Sequence, residues 1–246
     1  MNNAILHKIN NRWKKLRLQP IRVFCIHQVT DTFDANSIWP CDWIQTDVFK
    51  QKVIELQKQY TFISLPEAQE YLRKDWFRCK KYAVMTADDG FASMKEIVPW
   101  LVEQNIPITL FINPIVWDGK TIAQNIKGLP LCNKKDGAKG VYLLLDDLKA
   151  LQSPLVTFGY HGYEHIDESK ESYEMFVANF EKCKVAMVDL QDVIPFYAHT
   201  NGLATKENDM FLKSINITPV FISGVKNYNQ EGRIDRELLT AKTINT

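Results

Sequence analysis

No run of about 18 apolar residues occurs in this chain, so no membrane-spanning helix is expected. The stretch from Met1 to Gln19 lacks the apolar core of a secretory signal, and a cytoplasmic location is the corresponding expectation. No C-x-x-C pair is present. The five cysteines, Cys25, Cys41, Cys79, Cys132 and Cys183, are scattered and odd in number, which argues against a disulfide framework and fits a reducing compartment. Charge of one sign is not in excess: 30 Lys and Arg face 29 Asp and Glu for a net +1, so no global field selects nucleic acid. Internal repeats, low-complexity tracts and an obvious interdomain linker are absent too. What remains is a 246-residue chain, 46% apolar and 24% charged, ordinary for a globular protein and long enough for one α/β barrel or two small domains.

Histidine is scarce, with only His7, His27, His161, His165 and His199. Two of the five lie four residues apart in His161-Gly162-Tyr163-Glu164-His165. About seventy residues earlier, Thr86-Ala87-Asp88-Asp89-Gly90 places two adjacent carboxylates at the end of an apolar run. Each half alone has a plain reading: Asp-Asp-Gly as a turn, since turns favour Asp and Gly, and His-x-x-x-His as two surface histidines. Together they supply one carboxylate and two imidazoles, a three-ligand set suited to a divalent metal such as zinc with a position left open for water. The second carboxylate is then free to act as a base. This is the equipment of a metal-assisted hydrolase.

The N-terminus carries Lys8, Arg12, Lys14, Lys15, Arg17 and Arg22 with no acidic residue among them, while Ile5, Ile9, Trp13 and Leu16 recur at helical spacing. Residues 1–20 therefore read as a basic helical extension to a domain spanning 21–246. Such a helix can lie on an anionic membrane surface, or it can close one end of the domain with Trp13 packed inward; the second reading is preferred.

Beyond it, strand-like and helix-like segments alternate. Strands are expected at Arg22–Ile26, Thr61–Ser64, Tyr82–Thr86, Pro107–Ile112, Leu155–Tyr160, Ile194–Ala198, Pro219–Ile222 and Arg233–Asp235. Helices are expected at Asp47–Gln59, from Leu65 towards Arg73 with an early proline, after Ser93 with capping-box spacing to Glu96, and at Tyr173–Leu190. The segment from Asn113 to Gly140 reads as a long loop that can shape a site. This alternation implies a mostly parallel sheet. Both metal motifs fall at C-terminal strand ends, where barrel enzymes place their chemistry.

The stretch Val84-Met85-Thr86-Ala87-Asp88-Asp89-Gly90-Phe91 resembles the T-F-D-D-G motif of the polysaccharide deacetylases, the NodB-homology group of carbohydrate esterase family four. The likeness continues through Ser93, Glu96, Pro99-Trp100-Leu101, Asn105-Ile106-Pro107 and Thr109-Leu110-Phe111, and covers roughly Arg22 to Asp235. His161 to His165 is similar to the family's H-[ST]-x-x-H, with Gly162 in the Ser/Thr place. The resemblance implies a distorted (β/α) barrel, often of seven strands. It implies hydrolysis of an N-acetyl group on a sugar, with Asp88 as general base and Asp89, His161 and His165 as metal ligands. Cys25-Ile26-His27-Gln28-Val29 looks like the Y-H-x-[VI] segment of the poly-N-acetylglucosamine deacetylase branch, in which this histidine is the catalytic acid. No histidine follows His199, so His27 is the candidate acid.

The third motif departs from the family's R-x-P-[YF]-G and from the F-x-Y-P-Y-G of this branch. Tyr197-Ala198-His199-Thr200-Asn201-Gly202 keeps the glycine, but Ala198 stands in the arginine position, Thr200 in the proline position and Asn201 in the aromatic position. The backbone N–H of Asn201 can still serve an oxyanion. The missing arginine, which would orient the base, counts against full activity. Ala87 in place of phenylalanine leaves space for something else to fill, and His199 reads either as an extra polar group in the cleft or as a loop residue. Three functions stay in play: carbohydrate N-deacetylation, sugar binding or scaffolding without catalysis, and hydrolysis of another small amide by the same apparatus.

Overall fold

The computed structural model describes residues 21–31, 43–73, 80–117, 141–202, 204–222 and 234–244. The basic stretch 1–20 and all but the start of the Asn113–Gly140 loop lie outside the described residues, as do Cys41, Cys79, Cys132 and His7. Among the described residues there are ten strands and six α-helices. In chain order they are β1 (Ile21–Ile26), β2 (Gln28–Val29), β3 (Trp43–Ile44), α1 (Thr46–Gln57), β4 (Thr61–Phe62), α2 (Leu65–Arg73), β5 (Tyr82–Ala87), α3 (Met94–Glu103), β6 (Ile108–Ile112), α4 (Leu145–Ala150), β7 (Val156–Tyr160), α5 (Tyr173–Ala186), β8 (Val193–Ala198), α6 (Lys206–Ser214), β9 (Thr218–Ile222) and β10 (Ile234–Leu238). No helix of the described residues is long and apolar enough to cross a membrane.

Every pairing in the main sheet is parallel. The sheet runs β1-β10-β9-β8-β7-β6-β5 and closes by pairing β1 with β5 along its whole length, from Ile21 opposite Tyr82 to Ile26 opposite Ala87. The result is a distorted barrel of seven parallel strands. The distortion has two visible sources. Short β4 and longer β6 share one edge of β5, β4 pairing at Tyr82–Ala83 and β6 at Met85–Ala87. Between β7 and β8 the register slips, Phe158 facing Val193 but Tyr160 facing Tyr197, and exposed Pro195 sits in that irregular stretch, where a missing backbone N–H costs no ladder bond.

Strand alternation sorts the core into two layers. Ile21, Val23, Val84, Phe111, Phe196, Ala198, Val220 and Ile234 fill the barrel interior, joined by Leu65 and Ala68 of α2. The residues between them, Phe24, Ile26, Met85, Leu110, Ile112 and Phe158, face the helices and pack with Phe49, Val53, Met94, Ile97 and Leu101. Burial on both faces explains why these strands read as continuous apolar runs. Each such side chain, fully buried, contributes roughly 1.5–3 kcal/mol. Ala87 belongs to the helix-facing layer at 1% exposure, so the space left by the absent phenylalanine ring is closed among its neighbours.

Several sequence expectations need correction. Ser93 does not cap α3: its backbone is already helical, and its hydroxyl instead accepts from the Val29 N–H at 3.4 Å. The capping box is at α2, where Glu67 Oε2 accepts from Ser64 N–H at 2.8 Å and Ser64 Oγ accepts from Glu67 N–H at 3.3 Å. The long helix stops at Ala186, short of Leu190. Helices α4 and α6 were not expected. The first is only six residues long, and the second buries only Asn208 and Leu212, so neither carries a clear apolar stripe. The final strand runs on past Asp235 to Leu238.

Candidate metal centre

Inward-facing positions continue past the strand ends. On β1 the series Val23, Cys25 leads to His27; on β5, Val84, Thr86 leads to Asp88; after β7, Thr157 and Gly159 lead to His161. Asp89 has the opposite parity and would point at the helices if the strand went on. Instead it adopts a left-handed backbone, φ 66°, and Gly90 follows at φ 68°, so the chain reverses and swings the Asp89 carboxylate back over the barrel mouth. This turn is what splays two adjacent carboxylates to different sides.

Asp89 Oδ1 lies 3.1 Å from His161 Nε2 and 3.5 Å from His165 Nε2. One donor atom from each of the three falls within 4.8 Å of the others, and all three residues are buried. Gly162 makes the loop between the histidines possible. It sits at φ 76°, and a Cβ there would meet Asn179 Nδ2 at 2.6 Å, which accounts for glycine in the Ser/Thr place.

The chemistry of the donor set fits a cation. His161 Nδ1–H donates to the Ala198 carbonyl at 2.7 Å, which leaves Nε2 of the neutral ring with its lone pair aimed at Asp89. A lone pair and a carboxylate oxygen 3.1 Å apart need a cation or a proton between them. Burial pushes the Asp89 carboxyl up, but the His161 hydrogen bond and the pull of the neighbouring imidazoles outweigh it and hold it well below the usual carboxylate range. Burial drives His165 down to about 4, so that ring is neutral and can offer a lone pair at neutral pH. For His161 burial also lowers the pKa, but the Asp89 bond and both aspartate charges leave it raised.

Asp88 faces the other way, into the barrel, and meets Arg236 of β10. The guanidinium clasps it in a fork, Nη1 to Oδ1 and Nη2 to Oδ2, both at 2.6 Å, and Nη1 also donates to Thr86 Oγ1 at 3.1 Å. The Arg236 Cζ lies 5.1 Å from the Phe111 ring centroid and the side chain is fully buried. Burial raises the Asp88 carboxyl; the Arg236 charge, then His161, bring it below its ordinary value. Thus a guanidinium does reach Asp88, but from β10 and not from the third motif. Sequence reasoning missed it because the last strand was ended one residue short. A cationic residue at an inward position between Ile234 and Leu238 was the available signal.

His27 joins the group from β1, its Nε2 4.0 Å from Asp89 Oδ2 and its buried Nδ1 without a partner among the described residues. Cys25, His27 and Asp88 also bring one donor atom each within 4.8 Å, but Asp88 is already held by Arg236, and burial raises the Cys25 thiol well above its usual range. Asn201 follows β8 on an exposed left-handed turn at φ 55° and is linked to the triad through Ala198, whose carbonyl accepts from His161. The structure therefore gathers Asp88, Asp89, His161, His165 and His27, and leaves Asn201 on the adjoining turn. His199 is not in the cleft. It points outward from β8, fully buried, with its ring 4.9 Å from that of Phe221.

Residues 78–218 match the sequence profile described as polysaccharide deacetylase. The chain belongs to this family. The Asp88-Asp89-Gly90 and His161–His165 motifs both lie inside the matched stretch, whereas His27 and Arg236 flank it on either side and are brought in by barrel closure. Comparison with curated proteins finds no match. Among solved structures, IcaB from Ammonifex degensii superposes with a TM-score of 0.72 at 19% identity, covering 92% of this chain and 94% of that one. The Streptococcus pyogenes deacetylase PplD, solved with acetate, gives 0.69 at 16% identity over 91% and 93% of the two chains. A de-N-acetylase from Aggregatibacter actinomycetemcomitans gives 0.69 at 17% identity over 91% and 96%. At these identities the likeness is one of fold.

Proposed function

We propose that this deacetylase-family chain is a metal-dependent hydrolase that removes N-acetyl groups from an amino sugar, as polymer or precursor, and that its ion is zinc. The observation that carries the reading is the convergence of Asp89, His161 and His165 beside an Asp88 held ionised by Arg236. A divalent cation held by the triad would polarise an acyl oxygen and activate water at neutral pH. Asp88 would take the proton from the attacking water, its carboxylate aimed by the Arg236 fork. The Asn201 backbone N–H would face the developing oxyanion; one such donor is worth about 3–4 kcal/mol. His27 would hand a proton to the leaving amine, and acetate and a free amine would result. The position of His27 just past the end of β1, and the likeness in fold to IcaB and the de-N-acetylase, support placing the chain near the poly-N-acetylglucosamine deacetylase branch.

The degenerate third motif favours the binding-only reading; the fork from Arg236 counts against it by giving Asp88 a guanidinium partner. Incubation of zinc-loaded protein with N-acetylglucosamine oligomers should release acetate. Ring-opened amino acid from a small cyclic amide, with no acetate from the oligomers, would favour the other amidase reading; neither product would favour a binding protein. Reloaded protein should hold about one zinc per chain, and His161→Ala with His165→Ala should abolish it. Undiminished zinc in that double variant would remove the ligand assignment.

His27→Ala should slow amide hydrolysis by about 100-fold or more, because an amine leaving group needs a proton. An activated ester, whose leaving group departs unprotonated, should be far less affected, and metal content should not change. Equal losses on the two substrates would assign His27 to packing.

A further inference from the structure

His161 and His165 are aimed by different means. The His161 ring is fixed by its bond to the Ala198 carbonyl. The His165 Nδ1 is buried and has no partner among the described residues, so the backbone on either side must hold that ring in place. On the N-terminal side, Asn113 Nδ2 donates to the carbonyls of His161 at 2.5 Å and Gly162 at 3.1 Å, and Asn179 of α5 donates to the Glu164 carbonyl at 2.9 Å and accepts from its N–H at 2.8 Å.

On the C-terminal side the tie comes from the end of β8. Thr200 Oγ1 donates to the Ile166 carbonyl, one residue after His165, and the Thr200 N–H donates to Glu168 Oε1 at 3.1 Å. Glu168 is completely buried, which an unpaired carboxylate does not tolerate. Its oxygens also accept from Tyr197 OH at 2.8 Å and His199 Nδ1 at 2.5 Å, and His199 Nε2 reaches Asp209 Oδ1 of α6 at 3.1 Å. With both ring nitrogens on carboxylates, His199 is held as the imidazolium that balances the buried Glu168. Burial alone would lower its pKa; the bonds to Asp209 and Glu168 leave it raised.

Thr200 stands in the proline position of the family's third motif. A proline has neither an N–H nor a hydroxyl, so it could form neither bond to this loop. We propose that Thr200 is a positioning residue of the metal centre, locking Ile166 and Glu168, with His199 beneath them, so that His165 is aimed at the ion. The inference rests on the reading of Asp89, His161 and His165 as ligands.

Zinc affinity, measured by competition with a chromophoric chelator at fixed pH, tests it without recourse to activity. Thr200→Val should weaken zinc by about tenfold, the scale at which supporting bonds around a metal act, and should alter the visible absorption of the cobalt-substituted protein. Thr200→Ser, which keeps the hydroxyl, should restore both. Thr205→Val serves as the control: it removes the side chain that accepts from Asn208 N–H at 3.1 Å and caps α6, so it should lower Tm and leave zinc affinity unchanged. Should Thr200→Val not fold, Tyr197→Phe removes one donor to Glu168 while keeping the ring, and should shift affinity the same way. Zinc affinity in the folded Thr200→Val protein within about twofold of wild type, or an equal loss in Thr205→Val, would overturn the proposal. Absence of zinc binding by the wild type would overturn the ligand reading itself.

Discussion

Asp88→Asn is expected to cut amide hydrolysis by about 100- to 10,000-fold while leaving metal content unchanged, because the carboxylate moves a proton and is not among the triad donors. A carboxamide keeps one acceptor for Arg236 but turns its NH2 towards the second guanidinium nitrogen, where two donors meet. The variant should therefore also lose stability, towards the lower end of the roughly 3–5 kcal/mol that breaking a buried ion pair costs. Single-turnover acetate release well below the melting temperature, with elemental analysis of the same sample, separates the two effects. Asp89→Asn should behave in reverse, losing metal first. A near-normal rate in folded, metal-loaded Asp88→Asn protein would mean that the base is elsewhere.

Arg236→Met should have the largest effect on stability. It preserves a long apolar stem against Phe111 but leaves Asp88, 1% exposed, as an unpaired buried carboxylate. The expected cost is about 3–5 kcal/mol, or roughly 10 °C in Tm for a chain of this size. The pH consequence follows from the sign of the shift. In the wild type the guanidinium charge offsets burial and holds the Asp88 carboxyl below its ordinary value, so it is ionised throughout the neutral range. Without Arg236, burial is opposed only by the smaller pull of the neighbouring histidines, His161 first, and the carboxyl rises. The acid limb of the kcat/KM profile should move to higher pH, and activity should recover in part as pH is raised. Arg236→Lys should not rescue the enzyme, since an ammonium cannot make the two-pronged contact. The double variant Asp88→Asn/Arg236→Met should regain much of the lost stability and remain inactive, because what destabilises each single variant is the partner left alone. Strictly additive losses would show that the pair is not coupled.

The candidate triad and the parallel sheet were legible in the sequence because both are local signals; the closed barrel was what the family resemblance implied. A buried parallel strand needs apolar residues on both faces, and Tyr82–Ala87 and Ile108–Ile112 show them without reference to any partner. His161 and His165 share one loop, and the Asp88-Asp89-Gly90 turn carries its own left-handed backbone signal, so type and spacing pointed to one carboxylate with two imidazoles; that the carboxylate is Asp89 was what the resemblance implied. Read one position at a time, the third motif looked like a loss. Ala198 lacked an arginine, Thr200 lacked a proline, and His199 had no evident place.

Only the tertiary structure showed what stands beside Asp88 and what these positions contact. Arg236 lies 148 residues from Asp88, and Glu168 lies 32 from Thr200. No periodicity or motif states which guanidinium will face which carboxylate across such separations, since that depends on strand parity and on the register at which the barrel closes. β1 pairing with β5 on one edge and with β10 on the other sets His27, Asp88 and Arg236 around a single mouth. The residue types that can do this chemistry were written along the chain. Their partnerships were decided by ring closure, because a buried charge must be met by whatever opposite charge the closed sheet brings to the same interior layer.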